Sequence, residues 1–385
     1  MNFPLTQFLQ LDTPFYYYDL GLLETTLRTI SGLLAGRNAY HVHYAIKANA
    51  NPRLLQIISA AGLGADCVSG GEVEAALKNG FASSSIVFAG VGKTDKEIRL
   101  ALEAGIHSFN VESLPELEAI NEQAVAMGKQ AKVAFRINPN VDAHTHAKIT
   151  TGLNENKFGI AWEDTLAAIR RANELPGVHY VGLHFHIGSQ ITDMEPFRAL
   201  CLKVNELQNV LEAEGIRTES INVGGGLGID YGQPDAHPVP DFEKYFAVFE
   251  KHLQLRPNQQ LHFELGRSIV AQCGTLIART LYVKQGHTKQ FVIVDAGFTD
   301  LIRPAMYGSH HFTQNISAPD GAPHDTYDIV GPICESSDVF SKDEMLPVTH
   351  RGDLIAFRSA GAYGEVMASQ YNLRPLAPAY FSKLA

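Results

Sequence analysis

The sequence predicts an α/β protein: a (β/α)8 barrel of the TIM type, followed by a mainly β C-terminal domain that the N-terminal strand completes. Three observations predict it. Between His41 and Arg267 about eight short β-rich segments are each followed by a helical pattern. Within those segments the two faces differ chemically, as they must when one side of a strand meets helices and the other a barrel lumen. Beyond Arg267 the rhythm stops, and β-branched runs alternate with turn residues.

The elements follow in order. Residues 13–19, Thr-Pro-Phe-Tyr-Tyr-Tyr-Asp, are strand-like and precede the first barrel unit, so they are expected to join the β domain. The expected barrel strands are His41–Asn49, Leu63–Ser69, Ser85–Gly90, His107–Ser113, Lys132–Asn138, His179–Gly188, Ser220–Gly226 and Leu261–Arg267. Helical patterns connect them, such as Gly71–Lys78, closed by Asn79-Gly80 as a C-cap. In the sixth strand Val181, Leu183, Phe185 and Ile187 form an apolar face, opposite Tyr180, Gly182, His184 and His186. The same split sets Val42, Tyr44 and Ile46 against His43, Ala45 and Lys47, and Leu261, Phe263 and Leu265 against His262 and Glu264. A lumen this polar exceeds what packing alone needs, and barrel active sites lie at the C-terminal ends of the strands. Phe291–Val294 and Asp353–Phe357 read as strands of the second domain, and Gln314–Asp328, with two prolines, as a surface loop. The domain boundaries expected are 1–22 for the joining strand, 23–267 for the barrel and 268–385 for the β domain.

Composition narrows the function. The chain has 385 residues, with 31 basic and 41 acidic side chains and a formal net charge of −10, which argues against a polyanion-binding protein. A hydrophobic fraction of 45% can fill large cores. No apolar run approaches the roughly 20 residues of a membrane helix, and Met1-Asn2-Phe3-Pro4 does not open a signal peptide, so a cytoplasmic protein is expected. Cys67, Cys201, Cys273 and Cys334 are too widely spaced for a CxxC or zinc pattern and are expected to be thiols.

Several residues at the strand ends carry chemistry. Lys47 is placed on the lumen face, where a desolvated amine forms a Schiff base with an aldehyde; alone it reads as a solvated lysine at a strand end. Gly224, Gly225 and Gly226 follow the seventh strand, where glycines let backbone N–H groups approach a phosphate, although a plain turn has the same composition. Glu264 is an inward carboxylate suited to holding a pyridine nitrogen protonated, or to a structural ion pair. His186 is an inward imidazole able to stack on a flat ring. The pairs His41/His43, His144/His146 and His184/His186 raise a metal site, which the lack of an accompanying carboxylate cluster disfavours. Together these parts suit pyridoxal phosphate on a barrel.

Their order also resembles a known family. Residues 13–16 (Thr-Pro-Phe-Tyr), 44–49 (Tyr-Ala-Ile-Lys-Ala-Asn), 64–72 (Gly-Ala-Asp-Cys-Val-Ser-Gly-Gly-Glu) and 136–141 (Arg-Ile-Asn-Pro-Asn-Val) open the series. It continues through Thr151-Gly152, Lys157–Ile160, His186–Ile191, Asn222–Gly228, Glu264–Arg267, Gly331–Asp338 and Gly361–Tyr363. This series resembles the fold-type III pyridoxal-phosphate decarboxylases, relatives of alanine racemase and ornithine decarboxylase, and most closely their diaminopimelate branch. It departs in being shorter than many members, with the trimming between His311 and Tyr327 one candidate place, and in having Leu265 where proline is common.

The resemblance implies a lyase that decarboxylates meso-2,6-diaminopimelate to L-lysine and CO2, the last step of lysine biosynthesis. It implies Lys47 as the Schiff-base lysine, Glu264 at the pyridine nitrogen and His186 stacked on the ring, with Asp66, Gly266 and Arg267 also around the cofactor. Ser189, Gly224 to Gly226 and Tyr363 would hold the phosphate. Cys334 would return a proton from the partner subunit of a homodimer. Arg267, Arg303 and Tyr307 would grip the substrate's distal carboxylate and Glu335 would take its distal amine, with Tyr363 also among the substrate-binding residues. A sibling acting on carboxynorspermidine or a basic amino acid, a non-catalytic pyridoxal-phosphate protein and a metal-dependent barrel hydrolase are the other readings.

Overall fold

The computed structural model describes residues 3–141 and 157–383. Thr151-Gly152 and the pair His144/His146 lie outside the described residues. The chain divides into two compact units, one of residues 27–228 and 241–266, the other of residues 1–26, 229–240 and 267–385.

The first unit is a closed barrel of eight parallel strands: β2 (Tyr40–Ala45), β3 (Gly64–Cys67), β4 (Ile86–Phe88), β5 (Ser108–Val111), β6 (Ala131–Arg136), β7 (Val178–His184), β8 (Ser220–Asn222) and β9 (Gln260–Leu265). Closure runs through β2 and β9, with His41 opposite His262 and His43 opposite Glu264. Each expected strand is present, shorter at its C-terminal end. The trimmed residues turn away as site loops; Lys47, for instance, lies in a 3-10 turn over Ile46–Ala48 rather than in β2. Local signals set the helices. Ser69 accepts the Glu72 N–H to start the helix Gly70–Lys78, and Gly80, at φ +94°, allows the chain to leave it. Thr94 and Glu97 form a reciprocal capping box on the helix Asp95–Ala104. Asp241 caps Phe242–His252, whose Phe246 and Phe249 meet Phe263 edge-on at ring distances of 5.0 and 5.1 Å. Such aromatic pairs add about 0.5–1.5 kcal/mol each beyond buried area, so this helix is pinned to β9, the strand that carries Glu264.

The second unit is an eight-stranded sheet with the order β12-β15-β10-β11-β13-β14, and β1 beside β10. Its strands are β1 (Phe15–Tyr18), β10 (Gly274–Gln285), β11 (Gln290–Val294), β12 (Thr313–Asn315), β13 (His324–Val330), β14 (Val339–Pro347), β15 (Leu354–Phe357) and β16 (Ala379–Phe381). The N-terminal strand joins as expected: β1 runs antiparallel to β10 and parallel to β16. Phe8, Phe15, Tyr17, Ile277, Leu354 and Ala356 form a core over this corner.

Two expectations differ from the structure. Residues 314–328 are not one loop, because Gln314 and Asn315 pair with β15 and residues 324–328 open β13. These are polar, partly exposed strand ends without alternation, so composition alone reads them as loop. The span expected for the barrel also contains residues 229–240, which group with the β unit through Tyr231 to Arg267 and Asp235 to Arg358 hydrogen bonds.

Candidate active site

At the C-terminal ends of the barrel strands, Glu264 is the most elaborately held side chain. It is buried, and its Oε1 accepts from Asn110 Nδ2 at 3.0 Å and Asn222 Nδ2 at 2.8 Å. His184 Nε2 meets its Oε2 at 2.9 Å. Burial by itself would raise this carboxyl, but the charge and hydrogen bond of His184, with the Lys47 charge, outweigh it and hold Glu264 well below the usual carboxylate range. An anion is therefore fixed in the lumen, with three donors on it and one acceptor position of Oε2 not taken by them.

Lys47 faces the same region. Its Nζ lies 3.3 Å from Asp66 Oδ2. Asp66 is fully enclosed, and its Oδ1 has no hydrogen-bond partner. Burial pushes Asp66 up to about 6, reinforced by the Glu264 charge and opposed by Lys47. Burial, with the Arg136 and Lys47 charges, holds the His186 imidazole well below its ordinary value, so that it is neutral. His186 sits just past the end of β7, and its Nδ1 accepts from the Gly225 N–H at 3.3 Å.

The glycine loop is shaped by close backbone approach. A Cβ on Gly225 would stand 2.0 Å from the Glu264 carbonyl oxygen, and one on Gly224 would stand 2.3 Å from that of Phe185. Gly224 and Gly226 take φ of +69° and +112°, open only to glycine at little cost. Ile191 N–H to Gly226 O and Gly228 N–H to Ile191 O, both 2.9 Å, lace this loop to the segment that carries Ser189. Gly266 leaves room for the lysine turn: its Cβ would lie 3.0 Å from that of Ala48.

In the β unit a second cluster gathers cations and tyrosines. Arg267 Nη1 donates to Tyr231 Oη at 2.7 Å, and its guanidinium lies 4.9 Å from the Tyr363 ring centre. The Arg303 guanidinium lies 5.4, 5.8 and 6.0 Å from the rings of Tyr231, Tyr307 and Tyr363. Arg303 is buried; its Nη2 donates to Ser309 Oγ at 3.1 Å, while its Nε has no partner. Burial and the neighbouring Arg267 lower its affinity for the proton. Two desolvated guanidiniums side by side make a receptor for an anion.

Cys334 is exposed, and its N–H donates to Asn372 Oδ1 at 3.0 Å. Glu335 beside it accepts from the Tyr371 hydroxyl at 2.7 Å. Next to them Leu373 is 97% exposed, in a left-handed conformation.

Sequence reasoning missed Asn110, His184 and Tyr231 as parts of these clusters. Alternation along β7 marks His184 as inward, but its partner lies 80 residues away. Among the described residues no three His, Cys, Asp or Glu side chains are placed to hold a metal ion, and no helix is long and apolar enough to cross a membrane.

Comparison with known proteins identifies the family. Residues 21–271 match the family model of the pyridoxal-dependent decarboxylase pyridoxal-binding domain. A diaminopimelate decarboxylase of Bacteroides thetaiotaomicron is 61% identical over 99% of this chain and 98% of its own length. Another, from Zymomonas mobilis, is 42% identical over 95% of this chain and 87% of its own. A crystal structure of diaminopimelate decarboxylase from Helicobacter pylori complexed with L-lysine superposes with a TM-score of 0.92 at 40% identity, covering 98% of this chain and 94% of that one. The chain thus belongs to the pyridoxal-dependent decarboxylases, within the diaminopimelate decarboxylase family.

Proposed function

We propose that this protein removes CO2 from meso-2,6-diaminopimelate to form L-lysine, with pyridoxal phosphate as cofactor. The observation that carries the reading is the Glu264 anion, clamped by Asn110, Asn222 and His184 with one acceptor position left open. A pyridine N–H is the donor that such a position suits. The partnerless buried Asp66 Oδ1 and the backbone-tight glycine loop also fit the cofactor. When bound, pyridoxal phosphate supplies a conjugated ring that accepts the electron pair left as the carboxylate departs.

The chain's residues divide the work. Lys47 Nζ would hold the cofactor's aldehyde carbon, with Asp66 taking one lysine hydrogen bond. Neutral His186 would pack on the ring face without adding charge there. Ser189, the Gly224 to Gly226 loop and Tyr363 would hold the phosphate, a helix-free anion cradle of the kind glycine backbone permits. Gly266 would keep the lysine turn close to β9. Arg267, Arg303 and Tyr307 would grip the carboxylate at the substrate's far end, and Glu335 its amine. A substrate ending in an ammonium alone would leave both guanidiniums facing a cation, which argues against ornithine or carboxynorspermidine. The relative crystallised with L-lysine supports this, since L-lysine retains a whole amino-acid head.

Cys334 would return the proton to the reacting carbon, and it would do so in a second copy of this chain. Its exposure supports this, as does the apolar exposed stretch around it: Tyr371, Leu373 and Leu376 are 47%, 97% and 55% exposed. A homodimer with shared sites would cover them. Four thiols outside any disulfide suit a reducing cytoplasm.

The test is CO2 release by the pyridoxal-phosphate-loaded protein, comparing meso-diaminopimelate with carboxynorspermidine, ornithine, arginine and lysine, with the product identified by mass. Preference for diaminopimelate with lysine as product supports the reading. Turnover of another substrate overturns the assignment of Arg303, Tyr307 and Glu335, and absence of turnover returns the protein to a binding role. Lys47→Ala should abolish both the cofactor's bound absorbance and turnover; persistence of both refutes the lysine assignment.

A further inference from the structure

The geometry points to Tyr231 as an additional ligand of the substrate's distal carboxylate, its hydroxyl donating a hydrogen bond that Arg267 strengthens. This rests on the diaminopimelate reading above and deepens it.

Tyr231 lies in the 229–240 excursion, immediately after the glycine loop, and this excursion is strapped down at several points. Asp230 Oδ1 accepts the Gly232 and Gln233 N–H groups at 2.8 and 2.9 Å, closing a turn beside Tyr231. Arg358, only 2% exposed, grips Asp235 with two bonds of 3.0 and 2.7 Å. The Gln272 side-chain amide donates to the His237 carbonyl. The Tyr231 ring meets His311 edge-on at 5.1 Å and lies beneath the Arg303 guanidinium. Its position is therefore set before any ligand arrives.

Hydrogen-bond bookkeeping gives the direction. A phenol has one hydrogen and can accept at its oxygen. Arg267 Nη1 donates to that oxygen at 2.7 Å, so the bond occupies an acceptor position and leaves the O–H free to donate. A cationic donor on the oxygen polarises the O–H and makes it a better donor to an anion. Beside it stands Arg303, whose buried Nε has no partner. A carboxylate seated here would satisfy both, whereas an ammonium would satisfy neither. Tyr231 thus discriminates by charge and by direction, and Arg267 acts partly through it.

Tyr231→Phe keeps the ring under Arg303 and removes only the hydroxyl. In the holoenzyme, L-lysine affinity by calorimetry should fall about tenfold, and the KM for meso-diaminopimelate should rise by a similar factor with kcat held within about twofold. Inhibition by 1,5-diaminopentane, which lacks carboxylates, should be unchanged. Unchanged L-lysine affinity and KM in Tyr231→Phe overturn the proposal; so does an equal loss for the diamine, which would mark general damage. Failure of the diaminopimelate reading itself is visible separately, because the wild-type holoenzyme would then neither decarboxylate diaminopimelate nor bind L-lysine.

Discussion

Acidification from about pH 7.5 to about pH 5 should destabilise the barrel through His43, a buried residue within β2. His43 Nδ1 lies 3.0 Å from the Ser85 carbonyl oxygen, and its Nε2 lies 2.8 Å from His262 Nδ1. The tautomers that satisfy both contacts put a proton on His43 Nδ1, donating to Ser85, and on His262 Nδ1, donating to His43 Nε2. A second proton on His43 would have to enter against that His262 N–H. Burial, only partly offset by the Glu264 charge, and the nearby His107 and His41 push the His43 imidazole from 6.5 down to about 4. Above about pH 6.5 the group is neutral in both folded and unfolded chains, and its contribution to stability is fully present. Below that the unfolded chain takes up a proton that the folded one refuses, so stability falls as pH falls, until about pH 4. At about 1.4 kcal/mol per unit, the whole loss is about 3.4 kcal/mol, of which about 2 kcal/mol is reached by pH 5. Trp162, the single tryptophan, lies in the barrel unit, so urea unfolding followed by its fluorescence reports that unit. His43→Gln offers His262 an acceptor that does not titrate. The acid loss should be about 2 kcal/mol smaller in the variant than in the wild type. Equal losses in both proteins would refute the argument.

Other expected outcomes follow from the site. Gly225→Ala sets a methyl 2.0 Å from a backbone oxygen, so the loop must shift; a destabilisation of about 1–3 kcal/mol by thermal unfolding and weakened pyridoxal-phosphate binding by absorbance titration are expected. Arg303→Ala should raise the KM for meso-diaminopimelate about tenfold or more while leaving cofactor affinity as it was, measured by steady-state kinetics and titration. Cys334→Ala should retain cofactor absorbance and lose about 10²–10⁴ in kcat. Mixing Cys334→Ala with Lys47→Ala subunits should restore turnover that neither has alone; no restoration would show that the sites are not shared between copies.

The barrel and its chemistry were legible because alternation along a strand is a local property. Glu264, Lys47 and His186 stand out as polar residues at strand ends otherwise filled by apolar ones, and no knowledge of distant partners is needed to see it. The N-terminal strand was legible through its aromatic run. What could not be read are contacts made by closure and by attachment. Asn110, His184 and Asn222 come from β5, β7 and β8, and only the register of the closed barrel brings their side chains onto one carboxylate of β9. The polar ends of β12 and β13 carry no alternation, so their pairing appears only when β15 and β14 lie beside them. The excursion that bears Tyr231 is barrel by sequence position. It is β unit by structure, because a few side-chain hydrogen bonds, one spanning 123 residues, outweigh its neighbours in the chain. The sequence by itself therefore determined which chemical groups stand at the strand ends. The tertiary structure decided their hydrogen-bond partners and hence their charge, because burial and partner geometry depend on residues that local pattern cannot bring together.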